Sequence, residues 1–84
     1  MPSEFRLFTT KRFERSFRKL DKVIRNRVLK AIEELKTDPY AGRKMITKPL
    51  WYIRVGDYRV FYYVDEENER VILIDVVHRR AAYR

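Results

Sequence analysis

The 84-residue sequence contains no cysteine, one histidine and only two glycines. Without cysteine the chain can form no disulfide bond, no thiolate metal site and no cysteine nucleophile. A single histidine also argues against a histidine-based zinc site. We therefore predict a protein that uses no metal and no small-molecule cofactor.

Long apolar runs are missing as well. No stretch approaches the roughly 20 apolar residues that a membrane span requires, and the N-terminal MPSEFRLF lacks the regions of a signal peptide. These absences predict a cytoplasmic protein with no membrane partner. The length and a hydrophobic content of 45% predict one packed domain over residues 1–84.

Acidic residues are too few to balance the basic ones. Twenty Lys and Arg face twelve Asp and Glu, which gives a net charge of +8. Such a charge favours an anionic partner, with nucleic acid first and an anionic membrane surface a distant second. The alternative is a basic surface that only keeps the protein soluble.

The most informative stretch is Leu50–Val64, which reads LWYIRVGDYRVFYYV. Its two alternating apolar runs predict two strands, and Gly56-Asp57 between them suits a two-residue type II′ turn. With this turn, Arg54 lies opposite Arg59. Alternation of side chains predicts a core face and an opposite face. The core face carries Trp51, Ile53, Val55, Tyr58, Val60 and Tyr62, and the opposite face carries Tyr52, Arg54, Arg59 and Phe61.

The Arg54–Arg59 pair predicts an anion-binding site. Like charges directly opposite each other destabilise a hairpin, so a folded protein that keeps them has an anionic group to offset the repulsion. The alternative is a neighbouring carboxylate that forms a structural ion pair. One candidate is Asp75 in the next predicted strand.

That third strand, Arg70–Val77, follows an acidic turn at Asp65–Glu69. The register predicted from this turn pairs Tyr62 with Ile72 and places Asp75 across from Arg59. A slip of one residue would exchange the two faces. In the predicted register Ile72, Ile74 and Val76 are in the core, and Val71, Leu73 and Asp75 lie on the opposite face.

Two helices are predicted before the hairpin. A short strand at Phe5–Thr9 leads to Thr9 or Thr10 as helix cap, and Asp21 caps the second helix. The apolar spacing predicts helices at Lys11–Leu20 and Lys22–Lys36, which pack on the sheet as an antiparallel helical hairpin. Residues 40–49 are predicted as a loop. The fold class is α+β, with an N-terminal strand, a helical hairpin and a three-stranded antiparallel meander that forms a curved sheet.

The outer faces of these helices are strongly basic, with few acidic residues for i,i+4 pairs. We interpret them, with the basic loop, as a footprint that positions the protein on a polyanion without reading its sequence. The residues predicted to contact RNA or the ribosome are Lys11, Arg12, Arg15, Arg18, Lys19, Lys22, Arg25, Arg43, Lys44, Lys48, Tyr52, His78 and Arg80.

The face that carries Arg54 and Arg59 suits cleavage of RNA without a metal. The 2′-OH attacks the adjacent phosphate, and guanidinium groups stabilise the developing charge. Arg remains protonated, so the general base is Tyr83, His78 or a group of the substrate complex. His78 is equally well explained as a surface or capping histidine.

Three features together resemble one family. The order strand–helix–helix–meander, the segment WYIRVGDYRVFYYVD and the ending DVVHRRAAYR resemble the RelE/ParE superfamily of type II toxin–antitoxin toxins. The chain is most similar to RelE-type messenger RNA interferases. The resemblance implies a single RelE-like toxin domain over residues 1–84, cleavage of messenger RNA in the ribosomal A site, and a cognate antitoxin as partner.

The resemblance also implies roles for four residues. Arg59 resembles the transition-state arginine of the family, and Arg79 resembles an arginine that acts as an acid or phosphate stabiliser. Tyr83 resembles the terminal tyrosine that stacks on a base and orients the 2′-OH. Arg54 stands where members of the family carry a basic residue, often lysine, that is proposed as the general base. Tyr52 stands where some members carry a second lysine, and both positions depart from the family pattern. The alternatives are a ParE-like inhibitor of DNA gyrase, and a relative that only binds nucleic acid or antitoxin.

Overall fold

A computed structural model describes residues 4–82 as a mixed α+β fold. The elements in chain order are β1 (Arg6–Thr9), α1 (Lys11–Arg18), α2 (Lys22–Glu34), β2 (Arg43–Lys44), β3 (Trp51–Val55), β4 (Tyr58–Asp65), β5 (Arg70–His78) and α3 (Arg79–Ala82). The sheet has the strand order β1-β5-β4-β3-β2. Neighbouring strands are antiparallel except for β1 and β5, which run parallel. The predicted fold class is confirmed, and the meander lies at the centre of a five-stranded sheet.

Both helices begin at the predicted caps. The Thr10 side chain accepts a hydrogen bond from the Phe13 amide at 3.1 Å, and Asp21 accepts one from the Ile24 amide at 3.0 Å. Each helix ends two residues before its predicted end, at Arg18 and Glu34. The apolar residues of α1, α2 and the residues that follow each helix pack on one face of the sheet, where the buried side chains are Phe13, Leu20, Val28, Ile32 and Leu35.

The β3–β4 hairpin has the predicted register throughout, with Arg54 opposite Arg59 and Tyr52 opposite Phe61. Gly56 has a φ of 60°, as the first central position of a type II′ turn requires. Among the described residues, Glu69 is the only non-glycine with a positive φ. The φ of Asp57 is therefore negative, which excludes a type I′ turn.

The predicted register of β5 is wrong because the turn is one residue shorter than predicted. Asp65 belongs to β4 and pairs with Arg70, so Tyr62 pairs with Leu73 rather than Ile72. Val71 and Leu73 are consequently buried in the core, whereas Ile72 and Ile74 are half-buried outside it. Phe61 pairs with Asp75, so Ile74 is the extra residue of a bulge. A bulge shifts the alternation of side chains beyond it, and Val76 is therefore in the core as predicted. Asp75 lies opposite Phe61, and Val77 lies opposite Arg59.

The predicted loop at residues 40–49 contains the short strand β2, which pairs Arg43 with Tyr52 in β3. Close packing of Gly42 holds it there. The Gly42 amide donates a hydrogen bond of 3.1 Å to the hydroxyl of Tyr62, whose side chain is completely buried. A Cβ atom on Gly42 would meet the carbonyl oxygen of Tyr52 and lie 2.7 Å from the Tyr62 hydroxyl. The absence of a side chain at this position therefore allows β2 to reach the sheet.

The predicted acidic turn between β4 and β5 is closed by an ion pair. Arg70 donates to one carboxylate oxygen of Asp65 from Nη2 at 2.6 Å and from Nε at 3.0 Å. The hydrogen bond from Arg70, followed by one from Asn68, lowers the pKa of Asp65 below its usual value. Glu69 ends the turn with a φ of 51°, in the left-handed region that L-residues rarely adopt.

Candidate active site on the open face of the sheet

The predicted arginine pair lies on the face of β3, β4 and β5 that is opposite α1 and α2. We call this face the open face. Arg54 is exposed and Arg59 is half-buried. The guanidinium carbon of Arg59 lies 4.8 Å from the centre of the Tyr52 ring, and that ring lies 5.8 Å from the ring of Phe61. The open face thus combines two guanidinium groups with two aromatic rings.

This combination suits a phosphodiester. Guanidinium groups bind phosphate oxygens through two parallel hydrogen bonds, and they keep their charge at any working pH. A ring beneath a guanidinium restricts its orientation and stabilises its charge. The open face can therefore hold an anion and stabilise extra negative charge on it.

The structure describes part of the C-terminal segment, which carries the predicted catalytic residues Arg79 and Tyr83. β5 ends at His78, and Arg79 is the first residue of α3. The Arg79 amide donates a hydrogen bond of 2.7 Å to the carbonyl oxygen of Asp57, in the hairpin turn. Arg79 therefore lies at the same end of the sheet as Arg54 and Arg59. Tyr83, the fourth predicted catalytic residue, lies outside the described residues.

His78 faces away from the arginine pair. It lies opposite Tyr58 in the register of β4 and β5 and so shares the face of the core residues. Its ring packs edge-on against Tyr58, with 5.2 Å between the ring centres. Its Nδ1 accepts a hydrogen bond from the Arg80 amide at 3.3 Å. This environment is that of a capping histidine, which was one of the two interpretations of this residue.

The sequence predicted that Asp75 lies opposite Arg59, but Asp75 lies opposite Phe61. Its carboxylate accepts hydrogen bonds from the Ser16 hydroxyl at 2.6 Å and from Arg12 Nε at 3.1 Å. A third hydrogen bond comes from the amide of Val76 at 2.8 Å. These contacts join β5 to α1, and the sequence analysis missed them. A single acidic residue within an otherwise apolar strand is the signal that could have revealed a buried partner.

The predicted RNA-binding residues lie on several elements. Those of the helices are exposed, and Lys11, Arg15 and Arg18 line a shallow depression with Glu14. Arg25 is the exception, being half-buried. Among the others, Arg12 and Lys48 line a cleft with Phe61, Arg43 pairs with Tyr52 and Lys44 with Trp51, and Arg80 lies in α3. The predicted footprint therefore combines exposed residues of the helices with residues that adjoin β3 and the cleft.

Two further observations concern residues 4–82. No three His, Asp or Glu side chains in this range lie close enough together to hold a metal ion. None of the helices between these limits has the length and apolar character needed to cross a bilayer.

Comparison with protein families gives a match over most of the chain. The model of the family described as "ParE toxin of type II toxin-antitoxin system, parDE" matches residues 7–83. A search of the curated proteins found no match.

Solved structures give similar results at low sequence identity. The chain is similar to one in the RelBE2 toxin–antitoxin complex of Mycobacterium tuberculosis, with a TM-score of 0.82, 26% identity, and coverage of 90% of this chain and 99% of that one. It is also similar to a chain of the intact Escherichia coli RelBE complex, with a TM-score of 0.79, 24% identity, and coverage of 88% and 95%. For a YoeB/ParE toxin from Agrobacterium tumefaciens the TM-score is 0.72, at 19% identity and coverage of 88% and 98%. The latter two similarities concern the fold alone.

Proposed function

This chain belongs to the family of ParE toxins of type II toxin–antitoxin systems, and we propose that it is a toxin that cleaves messenger RNA on the ribosome. The observation that carries this proposal is the direct opposition of Arg54 and Arg59, with Arg59 above the Tyr52 ring. Two guanidinium groups placed in this way can bind a phosphate and stabilise the charge that develops on it during cleavage.

In the proposed reaction the 2′-OH of one nucleotide attacks the phosphate that follows it. The bond from phosphorus to the 5′-oxygen of the next nucleotide breaks, which gives a 2′,3′-cyclic phosphate and a free 5′-OH. Arg59, held against Tyr52, stabilises the negative charge that develops on the phosphate oxygens. Arg54 binds the same phosphate, and Arg79 stabilises the leaving oxygen. The base removes the proton of the 2′-OH, and the leaving oxygen takes up a proton from the protonated base or from water. No metal takes part in this scheme.

Proton transfer is assigned to residues beyond the arginine pair. Arginine cannot accept the proton of the 2′-OH because it stays protonated. His78 has its Nδ1 occupied and lies on the other face of the sheet, which favours Tyr83 or a group of the ribosome complex as the base. Tyr83 would also stack on a base of the substrate.

The exposed basic residues of the helices support a role for the ribosome. With messenger RNA on the open face, these residues would bind a second polyanion, and ribosomal RNA is one. The exposed residues Arg15, Arg18 and Lys22 would then position the toxin through phosphates without reading sequence. Structural neighbours are toxins in complexes with their antitoxins, and a cognate antitoxin is the expected partner of this chain. An acidic amphipathic segment would complement these surfaces.

Primer extension on messenger RNA from translating cells that express the chain tests this proposal. We expect cuts within codons of translated messages. The Arg59→Ala variant should reduce the cleavage rate by about 100-fold or more, as removal of a charge-stabilising group does in other enzymes. The matched control is Lys30→Ala, an exposed basic residue of α2, which should leave cleavage unchanged. Intact messages in arrested cells would contradict the proposal.

A second candidate function is inhibition of DNA gyrase. The observation in its favour is that the matching family model is that of ParE. Growth arrest with intact messages and accumulating DNA breaks, unaffected by Arg59→Ala, would support it. Absence of both arrest and cuts from folded protein would leave a module that only binds antitoxin or nucleic acid.

A further inference from the structure

A cleft of about 420 Å³ lies on the open face next to the arginine pair. Its apolar surface includes Phe61, Leu50 and Val77, all half-buried. Val77 lies directly opposite Arg59 in the sheet, and Phe61 follows Arg59 two residues later in β4. Two residues of a strand span about 7 Å. The cleft is therefore a direct neighbour of the place where the scissile phosphate is proposed to bind.

Phe61 gives this cleft the character of a stacking surface. Its ring packs at a tilt against Tyr52, so its position is fixed from the side of the arginine pair. Aromatic rings in open grooves bind unstacked nucleobases, which also bury their apolar faces. An apolar surface of this kind beside two guanidinium groups is unusual for a pure phosphate site.

The rim of the cleft is basic. Arg12 and Lys48 both line it and both are exposed. Asp75 also lines the cleft, but Arg12, Ser16 and the Val76 amide bind its carboxylate. Since Asp75 binds Arg12 through Nε, the two terminal amino groups of Arg12 are left for another anion. Asp75 thus fixes Arg12 at the rim, and Arg12 offsets its charge.

We propose that this cleft binds one unstacked base of the RNA beside the scissile phosphate, and that Arg12 and Lys48 bind the backbone phosphates that flank this base. The inference rests on the proposed function and extends it by naming a subsite for the substrate. Asp75 is a positioning residue in this arrangement, and Phe61 is the residue that contacts the base.

A chemical double-mutant cycle tests the subsite. Short RNA oligonucleotides with 2′-deoxynucleotides cannot be cut by 2′-OH attack, and an abasic nucleotide is placed at each position in turn. Binding to the purified chain is measured by fluorescence anisotropy. At one position, removal of the base should weaken binding to the wild type by about ten-fold. Phe61→Ala should weaken binding to the complete RNA by a similar factor and should show no further loss with that abasic RNA.

Matched variants separate stacking from folding. Phe61→Tyr keeps the ring and should keep both the affinity and the response to the abasic position. Phe61→Leu keeps an apolar side chain without a ring. It should show the weaker binding and the lost response expected of a folded Phe61→Ala, and it replaces that variant in the test if the alanine variant unfolds. Tyr63→Ala removes an aromatic ring from the same strand that does not line the cleft, and it should change neither measurement.

The rim is tested by the salt dependence of binding. Each phosphate contact on a single strand contributes about 0.7 to the slope of log K against log salt concentration. Arg12→Ala should therefore lower this slope by about that amount, and Asp75→Asn should lower it less while weakening binding. Lys30 does not line the cleft, so Lys30→Ala should leave the slope unchanged. A lower slope in this variant would show that the helices also contact the short RNA.

Three results would overturn the subsite. The first is equal binding of complete and abasic RNA at every position, and the second is losses from Phe61→Ala and base removal that multiply. The third is a loss of affinity for the cognate antitoxin in Phe61→Ala without coupling to any base, which would assign the cleft to a protein partner. Coupling to a base in a chain that cuts no message would keep the subsite and reject the proposed cleavage. Cleavage without coupling would do the reverse.

Discussion

The guanidinium carbon of Arg59 lies 4.8 Å from the centre of the Tyr52 ring in the neighbouring strand. The sequence resemblance implies that some related toxins carry a lysine at the position of Tyr52. In this chain the ring at that position contacts Arg59 and restricts the orientation of its guanidinium group.

Loss of the Tyr52 ring should weaken the proposed cleavage. Tyr52→Leu removes the cation–π contact, which is worth about 0.5–1 kcal/mol at an exposed site, and should lower the cleavage rate by roughly two- to five-fold. Tyr52→Phe keeps the ring and should retain the rate. Single-turnover cleavage on programmed ribosomes measures both, and an equal loss in the two variants would assign the effect to the hydroxyl group.

Thr10 should contribute more to stability than its neighbour Thr9. The Thr10 hydroxyl accepts from the Phe13 amide and donates to the carbonyl oxygen of Leu73 at 3.0 Å. Thr10→Ala removes the cap of α1 and its link to β5, and should lower the free energy of unfolding by about 1–2 kcal/mol. Thr9→Ala removes only an exposed bond to Glu14 and should have little effect. Urea denaturation of the two variants makes the comparison, and equal losses would contradict it.

Gly42 and Tyr62 should be coupled. Gly42→Ala places a methyl group against the Tyr52 carbonyl and the Tyr62 hydroxyl, and should destabilise the fold by about 1–3 kcal/mol. Tyr62→Phe leaves the Gly42 amide without its partner, which should cost about 1 kcal/mol. The double variant removes one of the two clashes, so its loss should be smaller than the sum of the single losses. Additive losses in chemical denaturation would show that the hydroxyl does not limit the space at Gly42.

Glu69 adopts a conformation that favours glycine. Its φ of 51° costs an L-residue about 1–2 kcal/mol, and glycine would recover part of this cost. We expect Glu69→Gly to raise the free energy of unfolding by about 0.5–1 kcal/mol. Glu67→Gly is the control within the same turn, where φ is not positive, and it should not stabilise the protein. Thermal unfolding of both variants gives the answer, and a stabilised Glu67→Gly would refute the conformational explanation.

Asp65 should make stability depend on acid pH. The hydrogen bond from Arg70 lowers the pKa of Asp65 in the folded state below its usual value of 3.8. A lowered folded pKa means that the contribution to stability is complete above the unfolded pKa and is lost as the pH falls through the folded pKa. Asp65→Asn should therefore be less stable than the wild type at pH 7, with a difference that shrinks below about pH 3.8. Urea midpoints across this range test the sign, and a difference that grows on acidification would contradict it.

The sequence predicts the hairpin well and the last strand poorly, for one physical reason. In β3 and β4 polar and apolar residues alternate, and Gly56 fixes the turn, so the register of Arg54 with Arg59 is determined locally. In β5 the segment RVILIDVV is apolar at nearly every position. The pattern of such a strand does not show which residues face the core, and it does not indicate the bulge at Ile74.

The contacts of the candidate site also differ in how well the sequence predicts them. The opposition of Arg54 and Arg59 follows from the hairpin alone and is confirmed. The contact of Asp75 with Arg12 depends on how α1 crosses β5, and it joins residues that are 63 positions apart. The strand β2 was missed because its two residues are too few to show a period. Long-range packing, which local patterns do not encode, decided each of these cases.

The parallel pairing of β1 with β5 has a consequence for synthesis of the protein. The first strand receives its partner only when residues 70–73 have been made, so a nascent chain cannot close its sheet until the segment that forms β5 has been synthesised. Closing so large a loop is slow compared with forming a helix or hairpin. Val71, Leu73 and Val76 also complete the core from this strand. Any harmful activity that depends on the complete fold therefore appears only after β5 has been made.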